Sequence, residues 1–222
     1  MSHLNLEMLD ADGAVREAAE AAGLDRSAFL KRSVLAGGGL LVGSAMFTGV
    51  LSSAAADISS TRSAENDIAI LNYALTLEFL EAAFYKQAVA NKAYGNSDAL
   101  KKFATTVADH ERKHVTFLQG ALGAKAIKSP KFAFGKAVRD KATFAKTAQV
   151  LEDTGVSAYL GQVANVFDPS TLRAAGTIAT VEARHAAWIR FINRATPAPR
   201  TFDVPKSERA ILKAVGDTGF IQ

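Results

Sequence analysis

The chain has 222 residues, 49% of them apolar and 22% charged, which excludes wholesale disorder and fits one domain with a sizeable core plus an appendage. It carries no cysteine, so disulfides, thiol catalysis, Cys-ligated zinc and Cys-ligated iron–sulfur clusters are excluded. The net charge is +4, and imidazole chemistry is confined to four histidines: His3, His110, His114 and His185.

Residues 33–56 hold no charged side chain. Glycine and serine dilute their hydrophobicity, so the stretch is long enough to span a bilayer yet weak as a spanning helix. Arg26, Lys31 and Arg32 precede it, and Ala54-Ala55-Ala56 closes it ahead of Asp57. Basic, then apolar, then small is the order of an export signal; an uncleaved anchor is the competing reading. The run Asp25-Arg26-Ser27-Ala28-Phe29-Leu30-Lys31 resembles a twin-arginine leader, with Ser27 in the place of the second arginine. Residues 1–56 are therefore expected to be a leader cleaved after Ala56, and the location to be extracytoplasmic, in the periplasm or cell envelope. Without them the chain keeps 22 basic and 16 acidic residues, a net of +6. Such a surface suits anionic envelope polymers or lipid heads. The basic residues are scattered and not interleaved with aromatics, so no nucleic-acid partner is expected. Membrane contact is expected only through the leader, if it stays attached.

Four long helical periods follow. The first runs over 63–91, and Asn96-Ser97-Asp98 then reads as a turn with an N-cap. The second runs over 98–122 with Leu100, Phe103, Ala104, Val107, Leu118 and Ala121 on one stripe, and Gly123 ends it. A connector with Ser129-Pro130 and Gly135 leads to a third period over 140–166. Asp168-Pro169 reads as an N-cap with proline at the first helical position, opening a fourth period that ends near residue 194, before Pro197 and Pro199. Residues 197–222 form a tail with one short helix opened at Pro205. No strand is predicted. Helices of about 25 residues, about 38 Å long at 1.5 Å per residue, predict an all-α antiparallel four-helix bundle over 57–196. The connector between helices two and three is long enough for a crossover along the bundle.

The apolar stripes are interrupted, and the interruptions are acidic, histidine or tyrosine. Helical spacing puts Glu78 and Tyr85 inside on the first helix, Glu111 and His114 on the second, Glu152 and Tyr159 on the third, and Glu182 and His185 on the fourth. All four glutamates fall near mid-helix, so they meet at one level of an antiparallel bundle. Desolvating one unpaired carboxylate costs several kcal/mol, and a cluster repels itself. Two divalent cations offset four negative charges, and they are the simplest explanation of the pattern. The spacing also repeats: 33 residues separate Glu78 from Glu111, 30 separate Glu152 from Glu182, and a tyrosine follows seven residues after each lone glutamate.

Two Glu-x-x-His pairs and two lone glutamates, together with the run Leu77-Glu78-Phe79-Leu80-Glu81-Ala82-Ala83-Phe84-Tyr85, the leader and the tail, resemble the ferritin-like superfamily, in particular extracytoplasmic, desiccation-related ferritin-like proteins. The resemblance implies a dinuclear iron or manganese site. Glu78 and Glu152 would be terminal ligands, Glu111 and Glu182 would bridge, and His114 and His185 would each cap one ion. A homodimer is implied on the same ground. The expected chemistry is oxidation of the metal pair by dioxygen or hydrogen peroxide, with Tyr85 or Tyr159 donating a hydrogen bond or an electron; both also read as packed core tyrosines. The alternative is a non-catalytic desiccation or stress protein whose metals only staple the bundle.

Other residues read as ordinary: Glu81 as surface or supporting, His110 as helix surface, Trp188 as packing. His110-Glu111-Arg112-Lys113-His114 also matches the H-E-x-x-H helix of zinc proteases. That reading leaves Glu78, Glu152 and Glu182 unexplained, and it lacks a strand on which to align a peptide.

Overall fold

A computed structural model describes residues 58–222. The expected leader and its expected cleavage after Ala56 lie outside the described residues. Four long helices make a bundle: α1 (Ala64–Ala90), α2 (Asp98–Leu122), α3 (Lys141–Gln162) and α4 (Pro169–Ile192). A fifth helix, α5 (Glu208–Asp217), lies in the tail. Each start is set by an oxygen-bearing side chain that accepts from an otherwise orphaned backbone N–H. Ser63, Ser97, Asp140, Asp168 and Ser207 fill that role in chain order. The tail helix thus starts behind Ser207, two residues beyond the proline expected to open it.

The short links α1–α2 and α3–α4 make each pair antiparallel, and these pairs pack most extensively; α1–α3 and α2–α4 close the ring. Helices α2 and α3, consecutive in sequence, therefore lie across the diagonal, and the connector must travel along the bundle. Asn72 of α1 holds its beginning, accepting from Ile127 N and donating to Lys125 O. Further on, the Phe134 ring meets that of Phe84, more than three turns along α1. This is the long crossover that the connector length allowed.

The tail is part of the core. Ile211 and Val215 of α5 and Ile221 are buried in the same cluster as Phe84, Phe103 and Phe144. An isolated antiparallel bridge ties Phe132 of the connector to Ile221, with Ala133 N donating to Phe220 O. Helix α1 is buried around most of its circumference. By length and composition it could cross a membrane, yet 72% of its most apolar window is buried within the bundle.

Candidate metal centre

The buried polar side chains at the start of α1 are satisfied by loops. Asp67 accepts from Phe167 N and Asp168 N, fixing the α3–α4 turn, and Asn66 donates to Ser59 O and Asn165 O. At mid-bundle the accounting fails. Glu78, Glu111, Glu152, Glu182 and His185 are all at most 3% exposed. Glu111 Oε1, Glu152 Oε2, both oxygens of Glu182 and His185 Nδ1 have no hydrogen-bond partner. Buried polar atoms are normally paired, so so many orphans in one place call for something that binds them all.

Each helix supplies a share. Helix α1 brings Glu78, α2 Glu111 and His114, α3 Glu152, and α4 Glu182 and His185. Donor atoms of Glu78, Glu111, His114 and Glu182 lie within 4.8 Å of one another, and so do those of Glu111, Glu152, Glu182 and His185. Glu111 and Glu182 belong to both groups. His114 Nδ1 is 3.1 Å from Glu111, 3.2 Å from Glu78 and 3.2 Å from Glu182. His185 Nδ1 is 3.2 Å from both Glu111 and Glu152. Carboxylate and imidazole donors in two overlapping groups fit a pair of divalent cations.

The two tyrosines cross between helices. Tyr159 of α3 donates to Glu78 of α1 at 2.5 Å, and Tyr85 of α1 donates to Glu152 of α3. Both hydroxyls are pushed up by burial first and by the carboxylate each faces second. Burial, then the neighbouring carboxylates, also raises Glu111 and Glu182 well above the usual range. Glu78 is lowered, because its bonds to His114 and Tyr159 outweigh its burial. His114 is pushed up to about 12: burial opposes its charge, but Glu111, Glu182 and Glu78 together win.

Two residues differ from their sequence reading. His110 is not simply helix surface: it is half-buried, and its Nδ1 lies 2.8 Å from His185 Nε2. Only the meeting of residues 75 apart reveals this. Neither donor group includes His110, so the protease-type pairing of His110 with His114 does not form. Glu81 is buried, at 3% exposure, three residues after Glu78. Trp188 packs edge-on against Phe103, as expected. An apolar cleft between α1, α3 and α4, walled by Leu77, Ala158, Ala175 and Ala179, reaches Tyr159.

A family model described as a ferritin-like domain matches residues 66–194. The chain belongs to the ferritin-like domain family. The matched span begins in the first turns of α1 and ends just past α4, so it holds all six donor residues of the centre. A search of curated proteins finds no match to the chain.

Proposed function

We propose that this ferritin-like protein holds two iron or manganese ions between its helices and uses them to oxidise Fe(II) or consume peroxide in defence of the cell envelope. The observation that carries the reading is the set of buried oxygens on Glu111, Glu152 and Glu182 that crowd the Nδ1 of His185 without a hydrogen bond among them. Glu78 and Glu152 would hold the outer sides of the pair, Glu111 and Glu182 would be shared, and His114 and His185 would hold one ion each. Such ions supply one-electron redox chemistry with dioxygen or hydrogen peroxide.

The chain's own contribution is placement. Tyr159 and Tyr85 pin one oxygen each of Glu78 and Glu152 and keep a hydroxyl proton at the edge of the centre. Phe103, Phe144 and Phe84 exclude water on the Tyr85 side, and the cleft ending at Tyr159 is a path for a small apolar oxidant. Export through the twin-arginine-like leader and a role in desiccation or stress tolerance belong to this proposal. N-terminal sequencing of exported protein should then begin at Asp57.

The test is anaerobic loading with Fe(II), metal analysis, and stopped-flow mixing with hydrogen peroxide or dioxygen. Two irons per chain oxidised faster than free Fe(II) support the proposal. Two bound irons with no acceleration remove the enzymatic part and leave a second reading: metals that staple a bundle whose crowded carboxylates otherwise destabilise it. That reading has its own observation, the burial of four mutually repelling carboxylates.

A further inference from the structure

The two halves of the bundle repeat the same pattern but break it at two places. Glu81 stands three residues after Glu78, and Gly155 stands three after Glu152. His110 stands just before Glu111, and Val181 stands just before Glu182. The first half therefore carries two polar residues, Glu81 and His110, for which the second half has no counterpart.

The first break is a fitted one. A side chain built on Gly155 would put its Cβ 3.3 Å from Glu182 Oε2 and 3.5 Å from Glu81 Oε1. A Cβ there would crowd Glu182 and touch Glu81, so both carboxylates face the bare backbone of Gly155. Although Glu81 sits on the same helix as Glu78, its carboxylate reaches across to Gly155 on α3, the point that Glu182 Oε2 also faces. It thus stands beside the group made of Glu111, Glu152, Glu182 and His185, at its edge rather than among its mutually close donor atoms. Glu81 is 3% exposed, and among the described residues no side chain or backbone group is hydrogen-bonded to its carboxylate.

The second break acts on the same group. His185 turns Nδ1 toward Glu111 and Glu152, and its Nε2 meets His110 Nδ1 at 2.8 Å. A proton on Nε2, donated to His110, leaves the Nδ1 lone pair free for a metal. The rings of the two histidines also stack, with centroids 5.1 Å apart. His114 has no counterpart of His110, because Val181 occupies that place.

Resting on the metal-binding reading above, we infer that the two ion positions are inequivalent: the His185 position, with Glu81 as an additional carboxylate ligand and His110 as a positioning residue, binds the first ion. The His114 position, with neither, binds the second.

Calorimetric titration of the metal-free, full-length protein with Mn(II) under nitrogen tests this, with circular dichroism melts to establish folding. Wild type should show two steps, the first at least about ten-fold tighter, the scale on which partners of a metal-binding histidine act. Glu81→Gln, close in shape but uncharged, should weaken the first step about ten-fold and merge it with the second. His110→Phe keeps the ring stack, removes the acceptor and should do the same; His110→Asn, which restores an acceptor, should recover part of the loss. His114→Ala should delete the weak step and spare the tight one, and it decides the matter even if Glu81→Gln fails to fold. Two equal wild-type steps, an unchanged first step in Glu81→Gln, or loss of the tight step in His114→Ala would overturn the inference while leaving a dinuclear site intact. No Mn(II) uptake by wild type would overturn the metal-binding reading and this inference with it.

Discussion

The hydroxyl of Tyr159 on α3 rests 2.5 Å from Glu78 on α1, and the mirror contact runs from Tyr85 on α1 to Glu152 on α3. A seven-residue spacing along each helix thus becomes a crossed pair between helices. Each tyrosine serves the glutamate of the other half, so the two halves of the site are locked together. Removing either hydroxyl leaves a buried carboxylate oxygen without its donor, at a cost of about 1–3 kcal/mol. Tyr85→Phe and Tyr159→Phe should each lower the metal-free stability by that amount in urea unfolding, while metal analysis still finds the same number of ions per chain.

Metal-free stability should fall as pH rises. Glu81, Glu111 and Glu182 have folded pKa values above their ordinary 4.5, and His114 is raised from 6.5 to about 12. In that case the folded state binds more protons than the unfolded one, so the stabilisation is complete below the unfolded pKa and is lost as pH rises through the folded pKa. Glu78 has the opposite sign: its lowered pKa adds stability above 4.5 that is lost in acid. The melting temperature of the metal-free protein should therefore decline from about pH 5 toward pH 9. Metal binding needs the same groups deprotonated, so the rise in melting temperature on adding Mn(II) should grow over that interval. A flat metal-free profile would contradict the burial of these charges.

Much of the centre was legible because charge on an apolar stripe violates the rule that builds the stripe. Glu78, Glu111, Glu152 and Glu182 stand where leucine would serve stability better, and the structure brings them together. Glu81 was not legible. On α1, apolar residues lie all round, so no stripe marks the inner face, and its carboxylate meets Gly155 only because α3 packs there. His110 stands on the flank of α2, and only the approach of α4 gives it a partner. The tail and connector were missed as core because Ile211, Phe134 and Ile221 sit in short segments without a long period. Their burial comes from docking on helices formed elsewhere in the chain.

Relieving the carboxylate crowding should separate stability from function. Glu182 is fully buried, its oxygens make no hydrogen bond although His114 Nδ1 stands 3.2 Å away, and burial and then Glu111 hold its pKa high. Glu182→Gln removes one charge from the cluster at nearly constant volume. The metal-free variant should be at least as stable as wild type, because one buried charge leaves a self-repelling cluster. Its affinity for Mn(II) should collapse, because Glu182 belongs to both donor groups. Thermal melts and equilibrium dialysis on the same sample would read both effects. A variant that is both less stable and metal-binding would show that Glu182 is there for packing.

The seat of the tail depends on a single missing methyl group. A Cβ on Gly161 of α3 would stand 1.8 Å from the carbonyl oxygen of Lys206, a backbone atom that cannot swing aside. Nearby, Lys206 N donates to Ser157 O at 3.0 Å, so the segment entering α5 is held directly against α3. Gly161→Ala must push that segment outward and loosen Ile211 and Val215, which α5 buries in the core. A loss of about 1–3 kcal/mol is expected from overpacking of this kind. Trypsin cleavage after Lys206 or Arg209 should accelerate as the tail lifts. Mn(II) stoichiometry should stay at the wild-type value, because no donor residue lies in the tail. Unchanged proteolysis in a folded Gly161→Ala protein would mean that α3 and the tail do not approach this closely in solution.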